Sequence, residues 1–402
     1  MYHIKSTLPE MNIQGKRVFL RADLNVPLLQ RSIISDLKLE VMRPTIDLIF
    51  SKGGKIILAT HLGRPDGYQE DLSTTVLIPW FQKHNYSIIF ESDLTQAYEK
   101  SFQEPHSILL LDNLRFYNGE KNNDPTFAQQ LAQLADFYVN DAFGMIHRTD
   151  CSVWQVPQLF TPATRTIGLL LEKELKQANK LYHAKHPFTV IIGGKKVCDK
   201  LKLLQSLLAK IDTILLCPAF VFTFLHAQNK GVGSSYVESD CLDNFKNFFQ
   251  ETKKHNVKVV IPLDYVVSSG DLSGPYAIKS ENHFGENKND YGISIGPQTQ
   301  MLYSSIISQA KTIFYNGLMG DLRYSQTMNG FKSILSAMSS AQGFSVVAGG
   351  DSSAATQLLG FAQQIDYIST GGGALIAYLA NKNLPALDVL INWTKPEQTN
   401  TI

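Results

Sequence analysis

Short apolar runs in this chain end repeatedly in residues that bind anions. Asp23 and Asn25 follow Arg17–Leu20, and His61, Gly63 and Arg64 follow Lys55–Ala59. Asp112, Asn113 and Arg115 follow Ser107–Leu111, and Asn140, Asp141, His147 and Arg148 follow Asp136–Val139. Guanidinium, imidazole and carboxamide groups together suit a compact anion with several phosphate or carboxylate oxygens, which arginine grips in bidentate fashion. The second half of the chain places other residues at the corresponding points: Gly193, Gly194, Lys195 and Lys196; Cys217 and Pro218; Asn316 and Gly317; Gly349, Gly350 and Asp351; and Gly371 to Gly373. Glycine turns that open helices hold phosphate chains through backbone N–H groups. A lone aspartate beside them suits Mg²⁺, which takes one or two carboxylates plus phosphate oxygens. Singly, each feature is more often a tight turn, a surface or salt-bridged arginine or a core histidine; their coincidence at run ends, in two chemically distinct sets, points to function.

These residues need elements to carry them. The runs also include Ser87–Phe90, Phe188–Ile192, Thr213–Leu216, Val257–Ile261, Thr312–Tyr315, Ser345–Val347 and Tyr367–Ile368. They have the length of buried strands. Helix-period segments such as Thr126–Ala135 and Lys200–Lys210 lie between them. Alternating strand and helix gives parallel sheets with right-handed crossovers, and ligands then bind past the carboxyl ends of the strands. Eleven strands exceed one comfortable sheet, and 402 residues allow two or three domains at about 150 each. The expected fold is α/β: two doubly wound, Rossmann-like domains with parallel sheets, joined by a connecting helix and hinge. The first domain covers 1–167, the connecting helix 168–186 and the second domain 187–385. His186-Pro187 stops the helix, because the residue before proline disfavours the α region.

Composition excludes several classes. With 44% hydrophobic residues the chain is not disordered, and a net charge of +1 argues against a general nucleic-acid binder. No apolar run approaches the roughly 18 residues of a membrane helix, so no membrane role and no signal peptide are expected. Four cysteines without CxxC spacing suit a reducing cytoplasm better than disulfides or zinc. There is neither a GxxxxGK[ST] loop nor a strand-following GxGxxG with a downstream acid, which disfavours P-loop kinases and dinucleotide oxidoreductases.

The segments Arg17-Val-Phe-Leu-Arg-Ala-Asp-Leu-Asn-Val-Pro27, Thr60-His-Leu-Gly-Arg-Pro-Asp66, Leu110-Leu-Asp-Asn-Leu-Arg-Phe116, Tyr138-Val-Asn-Asp-Ala-Phe-Gly144 with His147-Arg148, Gly193-Gly-Lys-Lys-Val-Cys-Asp-Lys200, Phe222-Thr-Phe-Leu225, Asn316-Gly317, Gly349-Gly-Asp351 and Ser369-Thr-Gly-Gly-Gly373 run in one order through nearly the whole chain. In that order they resemble phosphoglycerate kinases. The resemblance implies transfer of a phosphoryl group between 1,3-bisphosphoglycerate and ADP, giving 3-phosphoglycerate and ATP in glycolysis. It also implies a first domain for the phosphoglycerate, joined by a returning tail (386–402), and a second for the Mg-nucleotide. By resemblance, Arg21, Asp23, Asn25, Lys38, His61, Arg64, Arg115, His147 and Arg148 hold the acid. Gly193, Gly194, Lys195, Lys196, Lys200, Ala219, Gly292, Asn316, Arg323, Gly349, Gly350, Asp351 and Ser352 serve the nucleotide. Asp351 holds Mg²⁺, and Lys38, Arg148, Lys196 and Lys200 attend the transferring group. The resemblance further implies a cytoplasmic monomer with hinge closure.

The chain departs from the family pattern in two places. Lys38 stands where the family has arginine, and a lysine cannot make the planar fork. Around the nucleoside, a glycine triplet is Cys217-Pro-Ala219, an alanine is Lys195, a ribose-binding glutamate is Arg323, and late glutamates are Ala377 and Ala380. Arginine cannot accept hydrogen bonds from ribose hydroxyls. Three readings follow: an active kinase with altered nucleotide preference, a non-catalytic phosphoglycerate-binding or regulatory homologue, and a different phosphotransferase on the same frame.

Overall fold

A computed structural model describes residues 2–3, 7–102, 106–269, 272–380, 383–390 and 392–393. The expected tail residues 394–402 lie outside the described residues. The chain divides into two compact units, Met1–Lys176 with Asn381–Ile402, and Gln177–Ala380.

Each unit is built on a six-stranded parallel sheet. In the first unit the strand order is Ser87–Glu91, Ser107–Leu111, Lys55–Ala59, Arg17–Ala22, Phe137–Asp141, Arg165–Ile167. The direction of winding reverses between Arg17–Ala22 and Phe137–Asp141, so a crevice opens past their carboxyl ends. In the second unit the order is Lys258–Val260, Thr213–Leu216, Phe188–Ile192, Thr312–Asn316, Phe344–Ala348, Tyr367–Ser369. There the reversal falls between Phe188–Ile192 and Thr312–Asn316. All five residues of Phe188–Ile192 are buried, because helices cover both faces of a parallel sheet and demand a continuous apolar strand.

The eleven apolar runs all become strands of these two sheets, and Arg165–Ile167 is a twelfth that the sequence reading missed. It is a three-residue edge strand, too short for a recognisable run. The second unit also carries a three-stranded antiparallel sheet of Tyr276–Ser280, Asp264–Ser269 and Asp290–Ile295, in that order. An all-parallel reading missed it. Tyr276–Ser280 has no buried residue, so apolar content gives that edge no signature.

The helix Leu169–Tyr182 is divided between the units, with Lys176 in one and Gln177 in the other. It buries Leu171, Leu175, Ala178 and Leu181, a spacing that puts them on one helical face. Its start is fixed from the first unit: the Leu171 amide donates to Asp141 Oδ1 at 2.8 Å. Residue 168 is glycine for a steric reason, since a Cβ there would overlap the Asp141 carboxyl. Further along, the short helix Pro385–Asp388 returns to the first unit. Its Ala386 is fully buried with Ala142, Met145 and Val153, and its amide donates to the Ile146 carbonyl.

Candidate functional site

In the first unit the candidate anion-binding residues gather into two linked groups. The first surrounds His61. Arg21, on the strand Arg17–Ala22, is fully buried. Its Nε donates to Ser152 Oγ at 2.7 Å, and its terminal nitrogens reach the Ala22 carbonyl, Glu120 Oε1 at 3.8 Å and His61 Nδ1 at 3.3 Å. Arg21 therefore has no exposed surface to offer a ligand and acts as a positioning residue for His61. Guanidinium only donates, so His61 Nδ1 accepts and the ring proton sits on Nε2. Burial, and then the Arg21 charge, hold the imidazole well below its ordinary pKa. His61 is thus a neutral donor.

Asp23 joins this group through Lys38, whose Nζ donates to Asp23 Oδ2 at 2.8 Å. Burial works to raise the Asp23 carboxyl, but the charges of Lys38 and Arg21 and the Lys38 hydrogen bond hold it well below the carboxylate range. Asn25 Oδ1 accepts from the Gly63 amide at 2.9 Å, and Thr60 Oγ1 accepts from the Leu24 amide. These two contacts tie the loops after Arg17–Ala22 and Lys55–Ala59 to one another.

The second group is built on arginines. Arg115 donates to the Gly63 carbonyl at 2.6 Å, and its Nη2 lies 3.8 Å from Asp150. Its Nε is buried with no protein partner. Burial lowers the Arg115 pKa; Asp150 opposes that, while Arg148, Arg21 and Arg64 add to it. The mutual effect means that these four guanidinium groups crowd one region. Arg148 is held by Asp150 Oδ1 at 2.9 Å, whereas Arg64 and His147 are exposed. Asp112 and Asn113 serve the scaffold instead. Asp112 Oδ1 accepts from Ser73 Oγ and the Thr74 amide, and Asn113 holds both backbone groups of Leu62.

In the second unit the crevice is glycine-lined. The Gly193 amide donates to the Asn316 carbonyl and the Gly194 amide to the Pro218 carbonyl. Gly317 has φ +112, and a side chain there would overlap the Gly193 carbonyl. This close approach leaves backbone surface between the central strands. Lys200 donates to the Gly193 carbonyl. Burial pushes its ammonium down to about 8, against support from Asp351 and with further lowering by Lys196. Lys196, Lys200 and Asp351 are therefore electrostatic neighbours. Lys196 is exposed with φ +61 and precedes the helix Val197–Leu207. Asp351 is exposed in the first turn of Gly350–Leu358. Beside it, Gly349 has φ +103, and a Cβ on Gly350 would meet nothing within 4 Å. Ser352 is buried and accepts from the Gly317 amide, and Asn316 Nδ2 donates to the Ala348 carbonyl.

The remaining nucleotide residues stand differently. Ala219 has φ +67 and ψ −54, a conformation that glycine adopts without strain and alanine does not. Gly292 is buried against the Phe222 ring, with no room for a Cβ, and its amide donates to Ser235 Oγ. Lys195 is exposed, its Nζ 5.3 Å from the Tyr236 ring centroid. Arg323 is 75% exposed at its side chain and paired with Asp321 at 2.6 Å. Several residues of these networks have no sequence signal: Glu120, Ser152 and Asp150 join them only through folding.

The phosphoglycerate kinase family model matches residues 8–382. The phosphoglycerate kinase of Clostridium tetani (strain Massachusetts / E88) is 36% identical over 395 residues, 96% of this chain and 98% of that protein. That of Dictyoglomus turgidum (strain DSM 6724 / Z-1310) is 39% identical over 394 residues, covering 95% and 97%. Among solved structures, phosphoglycerate kinase from Pyrococcus horikoshii OT3 superposes with TM-score 0.83 at 26% identity, and the one from Coxiella burnetii with 0.79 at 29%; both cover 96% of this chain and 98% of the other. A match of this length, over both sheets and both crevices, means that the chain belongs to the phosphoglycerate kinase family.

Proposed function

We propose that this chain is an active phosphotransferase of its family, moving a phosphoryl group between the carboxyl oxygen of 1,3-bisphosphoglycerate and ADP, to give 3-phosphoglycerate and ATP. The observation that carries the reading is the charge layout. One unit gathers Arg64, Arg115 and Arg148 near a neutral, donor-oriented His61, and the other sets Lys196 and Lys200 with Asp351 over bare glycine backbone.

Phosphoryl transfer needs positioning and charge neutralisation more than covalent help. In this reading Arg64, Arg115, His147 and Arg148 hold the oxygens of the acid, with Asp23, Asn25 and His61 orienting it. Arg21 sets the His61 tautomer. Lys196 and Lys200 hold the nucleotide phosphates, and Lys38, Arg148 and Lys200 neutralise charge on the transferring group. The acceptor is already an anion, so no general base is assigned. Asp351 fits Mg²⁺ carried by the nucleotide: an exposed carboxylate beside open glycine backbone, with room for phosphate oxygens to complete the set. The ion would neutralise phosphate charge.

The nucleoside end is the rewritten part. Ala219 keeps a glycine-like backbone while adding a methyl group, and Arg323 offers donors where an acceptor is expected. We therefore read the nucleotide preference as altered. Hinge closure about Leu169–Tyr182, a monomeric state and a cytoplasmic setting complete the proposal; among the described residues no helix is long and apolar enough to cross a membrane. The test is a coupled assay of the purified protein with 3-phosphoglycerate and a panel of Mg-nucleotides. Turnover with at least one nucleotide is expected. No turnover with any, alongside measurable 3-phosphoglycerate binding, would overturn the reading in favour of a non-catalytic homologue.

A further inference from the structure

Two thiols and a carboxylate meet at the root of the helix Val197–Leu207, and the phosphotransfer chemistry uses none of them. The sulfurs of Cys198 and Cys241 and a carboxylate oxygen of Glu238 all lie within 4.8 Å of one another. Cys198 sits in the first turn of the helix. Glu238 caps the short turn Ser239–Cys241, and Cys241 ends it at the start of the helix Leu242–Lys254. Cys241 is buried, while Cys198 and Glu238 are half-buried and open to an incoming ion.

The carboxylate is already fixed in place. Its Oε2 accepts from the Val197 amide at 2.8 Å and from the Tyr236 hydroxyl at 3.3 Å, and its Oε1 accepts from the Cys198 amide at 3.1 Å. Oε1 thus has capacity for one further partner. Hydrogen bonds of this kind fix the orientation a carboxylate needs in order to ligate a metal.

We propose that Cys198, Glu238 and Cys241 form a binding site for a thiophilic divalent cation of the zinc class, with water as the fourth ligand. Thiolate and carboxylate donors in a tetrahedral set are the chemistry that zinc selects. A disulfide is the competing use of two close thiols, but it requires a thiolate to attack. Closing it also needs a two-electron oxidant, which binding a cation does not. A metal ion instead displaces both thiol protons directly. The bound set, a dication with two thiolates and one carboxylate, has the same net charge as the carboxylate with two neutral thiols. Lys200, which feels Glu238, therefore keeps its electrostatic setting. What changes is mechanical: the ion would tie the helix that begins beyond Lys196 to the segment entering Leu242–Lys254.

This inference goes beyond the phosphotransfer reading and is read without any turnover measurement. Co²⁺ is titrated into the full-length protein under a non-thiol reductant. The expected result is one equivalent bound with a thiolate-to-cobalt charge-transfer band, two protons released, displacement by Zn²⁺, and protection of Cys198 and Cys241 from alkylation. Cys198→Ser and Cys241→Ser should each weaken binding at least tenfold, and Cys151→Ser should not. Cys198 is half-exposed, so its variant decides the matter should the Cys241 variant fold poorly, and alkylation protection needs no variant. Absence of the band, or a band and protection unaffected by Cys198→Ser, would overturn the proposal.

Discussion

Nη2 of Arg21 lies 3.3 Å from Nδ1 of His61, and that one contact assigns the imidazole its role. A group that can only donate fixes its neighbour as an acceptor, which sends the remaining ring proton to Nε2. Arg21 is itself held by Ser152 and Glu120, both fully buried. The chain of dependence runs from a buried carboxylate through a buried guanidinium to the neutral imidazole.

Breaking that chain should cost stability before it costs chemistry. Burial raises the Glu120 carboxyl and Arg21 opposes the rise. Arg21→Met leaves Glu120 uncompensated and is expected to lose about 3–5 kcal/mol in urea unfolding, with much of it recovered in Arg21→Met/Glu120→Gln. A double variant no more stable than the single would show that the pair is not coupled.

Lys38 is the departure nearest the chemistry. It pairs with Asp23 at 2.8 Å but presents a point charge where a planar fork would clamp phosphate. Removing a transition-state arginine costs about 10³–10⁵-fold in other phosphoryl-transfer enzymes, and a retained ammonium recovers part of that. Lys38→Arg should raise kcat, measured in the coupled assay with the best nucleotide. An unchanged or lower kcat would count against this role.

Lys200 predicts a proton linkage. Its ammonium titrates at about 8 in the free protein, and a bound polyphosphate favours the charged form. Above pH 8 nucleotide binding should take up a proton, which appears in calorimetry as a dependence on the ionisation enthalpy of the buffer. In Lys200→Arg, with a guanidinium charged throughout, that dependence should vanish; its persistence would place the proton elsewhere.

Asp141 carries the opposite kind of signal. Burial, with a smaller push from Glu174, raises its carboxyl to about 7, against about 4 for an unfolded aspartate. Between those values the native state binds the extra proton, so this contribution to stability is full below pH 4 and is lost as pH rises towards 7. Asp141→Asn keeps an oxygen for the Leu171 amide and removes the titration. Unfolding free energies at pH 5 and pH 8 should show the variant gaining on the parent at the higher pH. An equal difference at both would rule the titration out.

Ala219 holds a strained backbone. Such a conformation costs of order 1–3 kcal/mol, and glycine gives back about 0.4–1 kcal/mol through the unfolded chain. Ala219→Gly should therefore stabilise the protein by roughly 1 kcal/mol, visible as a higher thermal midpoint. A lower midpoint would mean that the methyl group packs favourably enough to outweigh the strain.

The sequence by itself determined the two sheets and the chemistry at their ends. Strands buried on both faces must be continuous apolar runs, so the eleven that it marked are all present. Residues past their carboxyl ends are placed by strand polarity alone, which is why His61, Arg115, Gly193 and Asp351 could be singled out. The edge strand Arg165–Ile167 escaped because it is only three residues long, and Tyr276–Ser280 because a strand with no buried residue needs no apolar run. Tertiary structure alone decided which partner each polar group takes. Arg21 meets Ser152 across 131 positions of sequence, and Glu238 reaches Val197 across 41. Sheet order, not spacing, brings such pairs together. The same holds for exposure: Arg21 and Arg323 are the same residue type, yet one is sealed beside Glu120 and the other lies open beside Asp321. Only the packing around each of them separates a positioning charge from a surface one.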